Sequence, residues 1–420
     1  MRIIHGAEGA EGTAHSSRRV ELIVWMMGFI TFAYVSLSVS LSPLLTSISD
    51  EFGVSESAVG QLATIGGLVA TVSALVSAPW MGRYSRRTWL RTELGLLMIA
   101  VALSALAPNF PVMVAARVLI GIAAGALLAN CFTAASEVVT DPKRQGRAVG
   151  IVASGTTVAV LAGLPAIALL ANHFGWRWAL ASVMVPMGLS LLGTALLPGD
   201  DPAITAGEGH GEAIDRSLAR RLVRDDRVTL AIILATGSLF VAYIGWITYY
   251  SAYIEHDFVG GSRRIGLLFI VGGCAELLGN FGAPAISHRA PVRWVALVGM
   301  AGMALALLGS GMFFRSMAGL FAGIALLHIS TSFAYVGLNT LLVHRPDKIR
   351  GTVLALSSAA VGLGGALGAL IGGGVLAMTD DYTRVFHVLG ILVGLSALVL
   401  VWVFRAAGNS DVVDRGAPLA

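Results

Sequence analysis

Twelve long, predominantly apolar stretches follow one another along the chain, separated by polar connections that are mostly a few residues long. They lie near 22–46, 57–81, 88–107, 112–135, 147–172, 177–198, 228–254, 264–287, 292–314, 317–342, 350–378 and 384–405. A bilayer core about 30 Å thick needs about 20 apolar residues per helix, and only a helix or a closed barrel satisfies its own backbone there. The pattern predicts an all-α, polytopic membrane protein with twelve transmembrane helices. Ser36, Ser38, Ser40 and Ser42 alternate as in a strand, but the run that holds them is too long and unbroken, and a helix is predicted. Arg18 and Arg19 precede the first run as in a secretion signal; that run is too long and lacks a small-residue cleavage pattern, so it reads as the first span.

Composition narrows the function classes. The 420 residues are 56% hydrophobic before their 51 glycines are counted, and 12% charged, about half the roughly 25% of a soluble domain. Too few charges remain to cover a water-exposed surface, which excludes a soluble enzyme, a nucleic-acid binder and a disordered chain. The formal net charge of +4 comes from arginines clustered in the connections, since all but two of the 28 basic residues are Arg. Those two, Lys143 and Lys348, follow Pro142 and Asp347, so no G-x-x-x-x-G-K-[ST] phosphate loop exists and ATP hydrolysis by that motif is excluded. Cys131 and Cys274 lie in apolar segments and the nine His show no metal-ligand spacing; neither a metal nor a cofactor is expected.

With the N-terminus inside, the inner segments hold 22 basic residues and the outer loops 5, so both ends are expected in the cytoplasm of a cell-membrane protein acting as a monomer. The expected division is a cytoplasmic tail (1–20), a six-helix bundle (21–198), a cytoplasmic central loop (199–227), a second six-helix bundle (228–405) and a cytoplasmic tail (406–420). In the central loop Ile214, Leu218 and Leu222 recur every four residues among arginines, as in a helix lying on the membrane surface; a plain linker reads equally well. The halves repeat. At an offset of 205, Ala78-Pro79, Arg83 and Trp89 answer to Ala283-Pro284, His288 and Trp294, and at 204 Pro142 answers to Pro346. Repeated six-helix halves place a substrate site between them near the midplane.

The sequence resembles the major facilitator superfamily of transporters over nearly its whole length. That family carries G-x-x-x-D-R-x-G-R-R after span two; here Ala78 to Arg87 read A-P-W-M-G-R-Y-S-R-R, keeping Arg83, Arg86 and Arg87 but placing Gly82 where the Asp stands. Arg117 to Gly125 match R-x-x-x-G-x-x-x-G in span four. Gly155 to Pro165, followed by Gly175-Trp176-Arg177, resemble the branch of twelve-span drug:proton antiporters and sugar or purine efflux permeases, as does Gly279-Asn280. The resemblance implies proton-coupled export of a small organic compound, drug-like or a sugar or nucleoside metabolite. A proton symporter importing an organic solute is the alternative, and a transport-dead membrane sensor a third reading. Span one has Thr31, Phe32 and Tyr34 but lacks the acid often found there in that branch, so a coupling carboxylate must lie elsewhere.

A charge at mid-bilayer costs roughly 2.5–3.5 kcal/mol on insertion scales and marks a site more often than not. Glu276 lies twelve residues from both Arg264 and His288, at the centre of span eight, and shares a face with Gly272 and Asn280. Proton coupling is one reading of it; a carboxyl hydrogen-bonded to a neighbouring helix is the other. Arg117 in span four either snorkels to the interface or takes part in coupling, as the resemblance implies. His328 heads a stripe in span ten with Ser332, Tyr335 and Asn339, and is the third coupling candidate. Tyr243, Trp246, Tyr250 and Tyr253 form a stripe in span seven, either an interfacial belt or rings for substrate stacking. Tyr34, Ser38 and Asn130 are further substrate-binding candidates. Arg83, Arg86 and Arg87 are read as a gate, and Gly155, Gly163 and Pro165 as either a bend where the halves rock or a static kink. Gly364, Gly368 and Gly372, like Gly121 and Gly125, have the spacing of close helix contacts.

Overall fold

The structure, a computed structural model, describes residues 5–77, 80, 84–139, 142–197, 226–258, 261–287, 289–313 and 316–408. Among these, helices long and apolar enough to span a bilayer are Arg19–Phe52, Glu56–Ser77, Arg86–Ala105, Phe110–Val138, Arg147–Phe174, Trp176–Leu196, Arg227–Asp257, Arg264–Ser287, Met317–Val343, Ile349–Thr379 and Tyr382–Ala406. The ninth span is shorter, a helix Val292–Leu308 continued after Gly309 by Ser310–Phe313. The chain is thus an all-helical, multi-pass membrane protein with twelve spans in two repeats of six. The helix of span one begins at His5, within the stretch read as a tail. The surface-helix reading of the central loop, the altered gating stretch from Ala78 to Arg83 apart from Trp80, and most of the C-terminal tail lie outside the described residues.

Helix starts are written in the sequence as caps. Ser85, Asn109, Asp226, Ser316 and Asp381 each accept a hydrogen bond from a backbone N–H in the first turn they precede. Prolines account for three interruptions inside spans. Pro43 has no N–H for the carbonyl of Val39, and span one breaks there, at Ser40, between helices His5–Val39 and Leu41–Phe52. Pro186 likewise frees Ser182, where the first helix of span six ends. Before Pro165, span five widens into a π-helical turn at Ala159–Gly163, and the helix Leu164–Phe174 follows without a gap.

The same packing recurs in both halves. Span one packs on five and span seven on eleven; span two packs on four and eight on ten; spans three and nine pack on six and twelve. Between the halves, span two meets eleven and span five meets eight, a pairing that is unchanged when the halves are exchanged. Small residues permit this, because lipid supplies no hydrophobic drive and close van der Waals approach holds the helices together. A Cβ on Gly364 or Gly368 would collide with the carbonyls of Gly237 or Val241 in span seven, and one on Gly125 would lie 2.7 Å from Ala74 N in span two.

One end of the bundle is rich in acids: Asp50, Glu51, Glu56, Glu255, Asp257, Asp380 and Asp381. There Arg177 donates to Glu51 Oε1 at 2.6 Å and to the carbonyls of Ala105 and Ala107 at 2.8 Å, while Trp176 Nε1 donates to Glu51 Oε2, tying spans one, three and six together. The halves are fastened at this same end. Ser57 donates to Gly373 O at 2.7 Å, His256 Nε2 lies 2.9 Å from Glu56, Ser42 reaches Ile247 O and Ser251, and Thr46 donates to Glu255.

Candidate functional site

Glu276 sits midway along span eight, and its carboxylate gathers polar groups from three other spans. His328 Nδ1 of span ten lies 3.0 Å from Oε2. Tyr243 of span seven donates to the same oxygen at 3.4 Å, and Thr157 of span five donates to Oε1 at 3.5 Å. Ser332 Oγ donates to the backbone carbonyl of Glu276 at 3.1 Å, and Asn280 Nδ2 to Thr157 Oγ1 at 3.4 Å. The other ring nitrogen of His328, Nε2, is buried without a hydrogen-bond partner among the described residues.

Aromatic rings wall the pair. Tyr243 and Trp246 meet the His328 ring edge-to-face at 5.9 and 5.6 Å, and Trp246 lies 4.5 Å from Tyr250, which packs on Phe269. On the far side of Tyr243, Phe240 contacts Tyr335, whose hydroxyl bonds Asn339. Trp246 and Tyr250 are fully buried, so these rings are not an interfacial belt. Gly272 makes room for the imidazole: a Cβ there would lie 2.7 Å from His328 Cδ2 and Nε2.

The site touches the other half of the molecule where span five is irregular. Gly273 packs so closely on Leu161, inside the π-helical turn, that a Cβ would come within 2.6 Å of it, and Gly266 faces Pro165. Gly155 and Gly163 face the other way, against Gly28, Thr31 and Ser36 of span one, and their absent side chains let spans one and five meet. Tyr34 and Ser38, also on span one, hydrogen-bond each other.

Arg117 does not snorkel. It is 3% exposed, and its Nε and Nη2 have no hydrogen-bond partner among the described residues. Asn130 is held in a second polar cluster, near the basic end of the N-terminal half. Its Nδ2 donates to both carboxylate oxygens of Glu93 at 3.1 Å, and its Oδ1 accepts from Arg86 Nη1 at 2.9 Å. Arg86 also pairs with Glu137 of span four at 3.1 Å. Arg87 is half-buried with its Nε unpartnered among the described residues, and Arg83 lies outside them.

Sequence reasoning missed Thr157, Phe240, Phe269 and Glu93. A lone Thr or Phe in an apolar span carries no signal. Glu93 did carry one: it lies at i+3 from Leu90 and i−4 from Leu97, on the face that packs inward. Among the described residues no group of three or more His, Cys, Asp or Glu is placed to hold a metal.

The family model described as the Major Facilitator Superfamily matches residues 24–291 and 238–418. A chloramphenicol resistance protein of Streptomyces lividans is 29% identical over 394 residues, covering 90% of this chain and 93% of that one. A chloramphenicol efflux pump of Mycobacterium tuberculosis is 28% identical over 293 residues, 69% of this chain and 68% of the pump. Among solved structures, a D-xylose-proton symporter superposes with a TM-score of 0.70 at 19% identity, covering 91% of this chain and 96% of the symporter.

Proposed function

The chain belongs to the Major Facilitator Superfamily of membrane transporters, and from that premise we propose that it exports a small organic compound in exchange for protons, by alternating access to a central site. The observation that carries this reading is the Glu276–His328 pair, bonded at 3.0 Å at mid-span and reaching Thr157 in the opposite half. A deprotonated carboxylate beside a neutral imidazole has a net charge of −1, and one added proton neutralises the pair. If substrate and proton bind antagonistically, each weakens the other by the same factor, because linkage is reciprocal. Glu276 therefore binds the driving proton, with His328 setting the orientation of its carboxylate and Arg117 placing a buried positive charge in the other half.

Tyr243 and Tyr335, backed by the buried Trp246 and Tyr250, offer aromatic faces and edges beside that pair, which suits a flat or ring-bearing compound. The relatives whose names refer to chloramphenicol support an aromatic drug-like substrate, with Asn280, Ser332 and Asn339 supplying hydrogen bonds. The asymmetry of 22 inner to 5 outer basic residues supports a cytoplasmic location for both termini and the 199–227 connection, with the acidic end facing outside the cell membrane. The two bundles, 21–198 and 228–405, rock about the site as a monomer.

The test is proton flux in everted vesicles on addition of each compound of a panel that begins with chloramphenicol. Antiport predicts proton efflux from the acidified lumen that requires the protein. Proton movement in the same direction as the compound would establish symport instead, and silence across a broad panel would favour a transport-dead sensor.

A further inference from the structure

Among the described residues, Glu93 is a buried carboxylate that the Glu276 site does not use. Glu93, on span three, is 4% exposed, and Asn130, which contacts it from span four, is wholly buried. Both oxygens of Glu93 accept from the single nitrogen Asn130 Nδ2 at 3.1 Å. The other end of that amide, Oδ1, accepts from Arg86 Nη1 at 2.9 Å, and Arg86 reaches on to Glu137, whose side chain is 40% exposed. A continuous chain of polar contacts thus runs from the basic-end surface to a buried acid. The groups around Glu93 are few: Arg86 on its own helix, Asn130 and Cys131 on span four, and Thr31 on span one, which bonds Cys131. Arg91 turns away to Thr194 of span six.

We infer that Glu93 is a second proton-binding site, distinct from Glu276, and that Asn130 is a lever that reports its protonation to Arg86 at the basic-end surface. The amide has one acceptor and one donor end, and in this arrangement both are committed. A proton on Glu93 turns one of its two acceptor oxygens into a hydroxyl donor and leaves the other as a neutral carbonyl acceptor for Asn130 Nδ2. The new hydroxyl gains an acceptor when the amide turns over and Oδ1 accepts from it. That same rotation points Nδ2 at Arg86, which loses its acceptor and is left with Glu137 alone. Protonation of Glu93 therefore competes with the Arg86–Asn130 bond, and no charged residue has to cross the membrane to transmit the change.

The test uses the full-length chain in lipid nanodiscs, in a Glu276→Gln background so that Glu276 does not contribute. Infrared spectra recorded across pH should show a buried carboxylic acid carbonyl band that titrates and is lost in Glu93→Gln. In parallel, in a Cys274→Ser background, Thr88→Cys, two residues from Arg86, should show a pH-dependent rate of thiol alkylation that Glu93→Gln flattens and Glu93→Asp retains. Asn130→Ala, which leaves the acid but cuts the lever, should keep the infrared titration while the alkylation rate loses its pH dependence. A carbonyl band that Glu93→Gln leaves unchanged would overturn the proton site. An alkylation profile that survives Asn130→Ala would overturn the lever. Both readouts are independent of which compound is transported and in which direction.

Discussion

At Glu276 the chemistry of one atom pair sets what the molecule can do. Gln at this position keeps the size and an acceptor for His328 Nδ1 but cannot release a proton. Glu276→Gln is expected to assemble normally, to abolish accumulation of substrate against its gradient, and to flatten the pH dependence of substrate binding measured by equilibrium dialysis. Concentrative transport with unchanged pH dependence would move coupling to another group. Gly272→Ala tests the same pair from the packing side, since the new methyl would sit 2.7 Å from the imidazole ring. Overpacking typically costs about 1–3 kcal/mol, here absorbed by displacing His328 from its 3.0 Å bond, so the variant should resemble Glu276→Gln in coupling while its thermal midpoint falls only modestly. Glu276 and the stripe from His328 were legible in the sequence as isolated polar residues in apolar spans. Their pairing was not, because they lie 52 positions apart on different helices and one helix's periodicity does not specify which neighbour it faces.

Along single elements, span boundaries follow from caps and apolar length, and the internal breaks from where proline removes an N–H. The strand-like alternation at Ser36 to Ser42 lost to that rule, and the break falls at Ser40, four residues after the alternation begins. The widened turn at Ala159–Gly163 is the counterpart in span five, and it lies where Gly273 of the opposite half packs. Contacts between glycine and backbone leave least room of all, because a carbonyl cannot yield as a side chain can. Gly368→Leu is therefore expected to separate spans seven and eleven, with loss of monodisperse protein or a lowered midpoint in thermal unfolding. The same change at Gly374, where nothing lies within 4 Å, should be tolerated. Equal effects at both positions would refute the close-contact account.

For the whole molecule, the contacts that cross between the halves at the acidic end define the closed side of this conformation. The His256–Glu56 pair is partly exposed and worth about 0.2–1 kcal/mol, and each hydrogen bond, those of the buried Ser42 included, about 0.5–1.5 kcal/mol net, so together they bias an equilibrium without locking it. Removing two of them, with Thr46→Val and Glu56→Gln, should raise reagent access to a cysteine at Gln61 severalfold while leaving the fold intact; unchanged access would show that apolar packing alone closes this end. Sidedness has its own test. In a Cys131→Ala, Cys274→Ser background, cysteine at Asp50 or Asp380 should react with an impermeant thiol reagent on intact cells and cysteine at Tyr84 should not, and the reverse pattern would invert the proposed orientation.

The sequence by itself determined the class of fold, the number of spans, their limits to within several residues and the repeat, and it singled out the isolated polar residues within the apolar spans. Those properties depend on local quantities: apolar length against bilayer thickness, helix periodicity, caps, and the cost of a charge in lipid. Tertiary structure alone decided the partners. It joined Glu276 to His328 and to Thr157 across the halves, and took Asn130 into a cluster with Glu93 and Arg86. It buried Arg117 away from the interface and enclosed the rings of span seven in the interior. Each of these depends on which helix faces register with one another. That register is set by glycine contacts and proline breaks summed over many spans, and it is not a property of any one segment.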